Sequence, residues 1–163
     1  WSNSVDILTE IFLKHQPVAI FVPHARDWNQ THLGTHLLAI DALKKAKGLY
    51  PLIIETEYWG QMPHPNLMVE NTVEEVADLL GALSHHRGEL ERNPFHLRLP
   101  AWMQDNVRRG AEVVGGQGGD APDFGFATLY RMNRWEGEKL TPAWSGGKML
   151  GSSECSKQSL LKA

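Results

Sequence analysis

The run Pro17-Val18-Ala19-Ile20-Phe21-Val22-Pro23, then Leu33, Leu37, Ile40 and Leu43 at helical intervals, then Leu49 to Tyr58, decides the fold. Residues 18–22 are apolar at every position, which suits a parallel strand covered on both faces, so a central strand is expected there. His32 to Lys47 reads as a helix, and it closes on Lys44-Lys45-Ala46-Lys47-Gly48, where cations and a glycine fit a helix C-terminus. With the second strand the order becomes strand, loop, helix, strand, a right-handed βαβ unit by the usual handedness of such crossovers.

Working outward, Val5, Ile7, Leu8, Ile11 and Phe12 predict an amphipathic helix that Lys14-His15-Gln16-Pro17 stops. Downstream, Leu67-Met68-Val69 reads as a short strand. Thr72-Val73-Glu74-Glu75 is a capping box opening a helix that runs to about Ser84, with Val73, Val76, Leu80 and Leu83 inward. Pro100 is placed as the first residue of a further helix ending at Gly115-Gly116, and Phe124 to Met132 as a last strand. From Trp135 onward periodicity disappears while Gly, Ser and Lys accumulate. The expected fold class is therefore α/β: a Rossmann-like layered fold with a mainly parallel sheet flanked by helices. Residues 1–134 are expected to be the C-terminal part of a single domain, and 135–163 an irregular C-terminal extension.

With 163 residues, 42% of them hydrophobic, the chain can bury a real core. A net charge of -3 leaves no basic stripe, so nucleic acid is not an expected partner. No apolar run reaches the ~18–20 residues of a membrane span. One cysteine, Cys155, excludes an internal disulfide framework and a Cys-rich zinc site, so any metal would need His and carboxylate ligands. The opening residues lack Met, a basic region and an apolar signal core, so the chain is expected to be one piece of a longer protein. The single cysteine allows a reducing compartment, and a cytoplasmic location is expected.

In an open α/β sheet, the loops at the carboxyl ends of the strands deliver helix N-termini and side chains to the ligand crevice. The loop Pro23-His24-Ala25-Arg26-Asp27-Trp28-Asn29-Gln30-Thr31-His32 has that position, and His36 follows one helical turn later. His32 and His36 at i, i+4 share a helix face, a spacing that lets two imidazoles reach one ion. Two readings stand open for His36, a ligand or a residue packed against the sheet. His32, at the helix start, is favoured as a ligand over a ring bonded to its own loop. His85 and His86 also suit a plain helix C-terminus, and Arg108 and Arg109 also suit pairing with Asp105 or Glu112 on a solvated helix. Gly115-Gly116-Gln117-Gly118-Gly119 lacks the context and the Lys of a phosphate-binding loop and reads as a flexible connection.

The stretch from Asp27-Trp28-Asn29-Gln30-Thr31-His32 to Asp41-Ala42-Leu43 resembles the second metal motif of LmbE/PIG-L deacetylases, His-Pro-Asp-His followed by a helix with an Ala-Leu pair. On that register His32 takes the place of the zinc-binding His, Asn29 that of the first motif His and Thr31 that of the Asp. Ala82-Leu83-Ser84-His85-His86-Arg87-Gly88-Glu89 resembles the family's Ala-Leu-x-x-His-x-Ser-Gln segment. Val107-Arg108-Arg109-Gly110 with Ala121-Pro122-Asp123-Phe124 resembles its closing pattern. The resemblance runs from about Val5 to about Arg131.

The resemblance implies a zinc-dependent hydrolase that removes an N-acetyl group from an amino sugar or related amide. It makes His32 the metal ligand, Asp27 and Asn29 the groups lining the reaction site, and His86 and Arg109 substrate contacts. An Asn at 29 could donate a hydrogen bond to a developing oxyanion in place of the family's His. The family's His-Pro-Asp-Asp-Glu motif, which supplies a zinc-binding His and Asp and a general base, has no counterpart here, His64-Pro65-Asn66 being the nearest string. The metal site is thus expected to be incomplete in this chain, its remaining half coming from upstream sequence or a partner chain. Two alternatives stand beside this reading. One is a binding or assembly module that kept the fold and lost the metal site; the other is an unrelated metallohydrolase built from His24, Asp27, His32 and His36.

Overall fold

A computed structural model describes residues 1–57 and 60–154; Tyr58, the expected end of the second strand, and Cys155 lie outside the described residues. The elements in chain order are α1 (Ser2–His15), β1 (Ala19–Pro23), α2 (Gln30–Lys45), β2 (Leu52–Thr56), β3 (Leu67–Asn71) and α3 (Val73–Ser84). They are followed by α4 (Arg87–Arg92), α5 (Phe95–Val113), β4 (Phe126–Trp135), β5 (Leu140–Pro142) and β6 (Lys148–Leu150). The chain divides into two compact units, one of Trp1–Pro65 with Tyr130–Ser145, the other of Asn66–Leu129 with the residues from Gly146.

In the first unit β1 runs parallel to β2, which confirms the βαβ reading, but β2 runs antiparallel to β4 and β4 antiparallel to β5. In the second unit β3 is parallel to β6 and neighbours β4. The sheet strands are therefore mixed in direction, and the expectation of a mainly parallel sheet is corrected. All-apolar strands report burial on both faces, and an antiparallel strand can be buried in the same way, so burial does not fix direction. The turn between β4 and β5, with Gly137 at φ 87°, is short enough to force the antiparallel return.

α1, α2, β1 and β2 share one core: Val5 and Phe12 meet Val22, Ala39, Ala42, Leu43 and Ile53, with Trp135 closing it. Each of the Val, Leu, Ile and Phe side chains among these, fully buried, contributes about 1.5–3 kcal/mol. Small residues at 39, 42 and 46 let α2 lie close to its neighbours. β1, however, is not a central strand among the described residues, since it stands at the end of the strand order and Phe21 is 64% exposed. The unbroken apolar run hid this, because Phe21 turns outward and meets the edge of Tyr130, with ring centroids 6.3 Å apart.

In the second unit α5 packs on β3 and β4 through Val107 and Val114 against Met68, Ala127 and Leu129. The capping box of α3 is present as read, with Thr72 Oγ1 accepting from Glu75 N–H and Glu75 from Thr72 N–H. Val73 is not inward but exposed, because the first turn of α3 turns its charged and apolar groups alike to solvent and Val76 is the residue that enters the core. Pro100 lies inside α5, which starts five residues earlier, at Phe95. Past the first turn, Pro100 lacks the N–H that would bond the His96 carbonyl, and the helix accommodates that loss, so a proline here does not mark the first residue. The stretch from Trp135, expected to be irregular, carries β5 and β6. The chain approaches Val114 so closely at Gly147 that a Cβ there would lie 2.0 Å from the Val114 carbonyl oxygen. No helix of the described residues is long and apolar enough to cross a membrane.

Candidate functional site

Asp27, Asn29 and His32 come together at the N-terminus of α2. Asn29 is the N-cap: its Oδ1 accepts from Thr31 N–H at 2.9 Å and from His32 N–H at 3.4 Å, meeting two of the orphan donors of the first turn. Asp27, buried, accepts from Asn29 N–H through Oδ1 at 2.8 Å and from His32 Nδ1 through Oδ2 at 3.1 Å. A carboxylate only accepts, so the His32 ring carries its proton on Nδ1. The His32 side chain keeps 23% of its surface while that of Asp27 has none. This is a half-open imidazole held in one tautomer by a sealed carboxylate.

The expected role of Asn29 changes in detail. Its carbonyl oxygen is turned to the helix, so the amide Nδ2 is the side-chain donor that remains. Asp27, expected to line the site, is buried and bonds to both His32 and Asn29.

His24 and His36 do not join this cluster. His24 donates Nε2–H to Gly60 O at 2.8 Å and accepts Arg26 N–H on Nδ1 at 3.3 Å, so both ring nitrogens are used. His36 is buried and donates Nδ1–H to Pro23 O at 2.9 Å, with Glu55 Oε1 3.7 Å away. Its Nε2 makes no hydrogen bond to any described residue. The Nδ1 edge of His36 is thus packed on β1, and the residue is one of those that line a cavity of about 330 Å³ together with His24, Glu55 and Asn133.

Glu55 is the residue that sequence reasoning missed. It sits in β2 opposite Arg131 of β4 and is 5% exposed. Its Oε1 accepts from Ala25 N–H at 3.2 Å and its Oε2 from Asn133 Nδ2 at 2.9 Å, while Arg131 Nε lies 3.8 Å from Oε2. The available signal was a carboxylate inside the apolar run Leu52-Ile53-Ile54-Glu55, where an ionised group must find donors.

The two remaining expected residues belong to the second unit. His86 is the exposed N-cap of α4 with no side-chain capping bond. Arg109 is half-buried in α5, and its Nη2 donates to Asn106 Oδ1 at 3.1 Å; Asn106 in turn donates to Ala127 O. Arg108 pairs with Asp105 Oδ1 at 2.8 Å, the solvated-helix role expected of one of the two arginines.

Among the described residues no group of three or more His, Cys, Asp or Glu side chains is placed to hold a metal ion. A four-residue site of His24, Asp27, His32 and His36 is therefore not formed among the described residues: both nitrogens of His24 bond the backbone, and His36 Nδ1 is held on Pro23 O.

No family model and no curated protein matches this chain. A solved structure does: GalB, the 4-carboxy-2-hydroxymuconate hydratase from Pseudomonas putida KT2440, is similar at a TM-score of 0.55 with 16% sequence identity. The match covers 81% of this chain and 58% of that one, so this chain spans little more than half the length of that enzyme, and what the likeness shows is the α/β fold.

Proposed function

We propose that this chain is part of a metal-dependent N-deacetylase, a hydrolase that removes an N-acetyl group from an amino sugar or related amide, with His32 as one metal ligand. The observation that carries the proposal is the bond from His32 Nδ1 to the buried Asp27 carboxylate. Metal-binding imidazoles characteristically donate their second nitrogen to a carboxylate or carbonyl, which fixes the tautomer and raises the basicity of the ligand. The similarity to a hydratase accords with it, since hydration and amide hydrolysis both require an activated water.

Zinc needs about three protein ligands and an open position. The described residues fit one corner of such a site and do not complete it. The other ligands and the general base would have to come from groups outside them. Zinc, when bound, would supply Lewis-acid polarisation and a water of lowered pKa. The chain's own residues have narrower tasks. Asp27 orients His32, Asn29 offers Nδ2 toward a developing oxyanion, and His86 and Arg109 are assigned to substrate.

The second reading, a binding or assembly module, is favoured by the absence of a three-ligand group among the described residues. Zinc content and acetate release from N-acetylglucosamine, measured with and without His32→Ala, separate the two. The deacetylase reading expects the substitution to abolish both. Zinc that persists in His32→Ala sinks the proposal, and a parent protein with neither zinc nor acetate release supports the binding module.

A further inference from the structure

The cavity beside β1, β2 and β4 has a wall that nothing above employs. His36, 5% exposed, is part of its lining, with Nδ1–H fixed on Pro23 O, so Nε2 is the ring nitrogen with no hydrogen-bond partner among the described residues. Glu55, the one acid of the wall among the described residues, has both oxygens bonded to donors of the protein and faces the Arg131 cation. The cations are less committed. Arg26 is exposed at the cavity and its guanidinium makes no ion pair among the described residues. Arg131 faces Glu55 through Nε and reaches His64 O through Nη1 at 3.5 Å, which leaves most of its five donors for other use.

We infer that this cavity binds a small oxyanion carrying a hydroxyl group. Arg26 and Arg131 take the anionic oxygens, and the hydroxyl donates to His36 Nε2. Planar guanidinium forks match carboxylate and phosphate oxygens in the same way, so the shared chemistry is the oxyanion. A permanent excess of positive charge, two arginines against one carboxylate, disfavours a cationic ligand. The Nε2 lone pair that remains once Nδ1–H is fixed on Pro23 O adds a requirement that simple anion attraction would not, namely a proton donor beside the charge. Asp27, Asn29 and His32 do not line this cavity, so the inference stands apart from the metal-ligand proposal.

Lactate and inorganic phosphate each carry a hydroxyl next to anionic oxygens and serve as the two probes. Titration of each into the protein, followed by calorimetry and by the nitrogen NMR signal of the His36 ring, is expected to give saturable binding of at least one. The His36 Nε2 signal should move with the same saturation curve. Arg26→Ala, at an exposed side chain with no ion pair to lose among the described residues, should keep the fold and weaken binding about five- to tenfold. Binding of lactate alone would name a carboxylate ligand, and of phosphate alone a phosphate ligand. Saturable binding of neither probe, or binding that Arg26→Ala leaves unchanged while the His36 signal stays still, overturns the inference.

Discussion

Asn133 donates Nδ2–H to Glu55 Oε2 at 2.9 Å, across 78 residues of chain and with both side chains buried. The strand register explains the meeting. Glu55 stands opposite Arg131 and Ile53 opposite Asn133, so Glu55 and Asn133 are diagonal neighbours on one face of the β2–β4 pair. Removing a donor from a buried carboxylate leaves its desolvation unmet, which costs about 1–3 kcal/mol. Asn133→Ala should lower stability by about that amount in urea denaturation. An unchanged midpoint would mean that solvent in the cavity replaces the lost donor.

A different outcome is expected from Asp27→Asn. The amide keeps the size of the carboxylate and one accepting oxygen, so α2 should retain its start. What it loses is the charge that makes the His32 ring a stronger ligand. Metal affinity should fall about 10–100-fold, the usual effect of removing such an orienting group. A cobalt titration of the protein and its Asp27→Asn variant measures this. Equal affinities would show that the carboxylate serves only the loop.

The two side-chain caps can be compared within one protein. Asn29→Ala and Thr72→Ala each strip the acceptor of a helix N-terminus, and each should cost about 1 kcal/mol. Asn29→Asp should cost far less, because a carboxylate accepts the same bonds and suits the positive end of the helix. Thermal melts of the three variants decide it. If Asn29→Ala melts like the parent, its contact with Thr31 and His32 is not stabilising.

Local features were legible in the sequence and distant ones were not. The Thr72–Glu75 box and the βαβ order around α2 follow from spacing along one segment, where the interacting groups lie within a few residues. Asp27 and His32 were also readable, being five residues apart across a single turn. Glu55, Asn133 and Arg131 were not, because strand pairing alone brings them together. The direction of β4 escaped for the same reason: apolar alternation gives the face of a strand but not its sense. Phe21 was misplaced because an apolar run cannot distinguish a covered face from an uncovered one.

The tie between α1 and α2 gives a prediction with a sign in pH. Trp1 donates Nε1–H to Asp41 Oδ2 at 3.0 Å, and Lys44 Nζ reaches Oδ1 at 3.1 Å. The Trp1 hydrogen bond first, then Lys44, hold the Asp41 carboxyl below its ordinary value. A carboxyl whose folded-state value is depressed contributes stability above its unfolded value, about 3.9, and loses it as pH falls through the folded one. Water screens this pair, so the contribution is small. Asp41→Asn should therefore melt slightly below the parent protein near about pH 7, and the gap should close as the pH is lowered past the carboxyl's titration. The shift is read as the difference in Tm between the two proteins along a pH series. A gap that stays constant to the acid end would show that shape at position 41, and not its charge, joins the two helices.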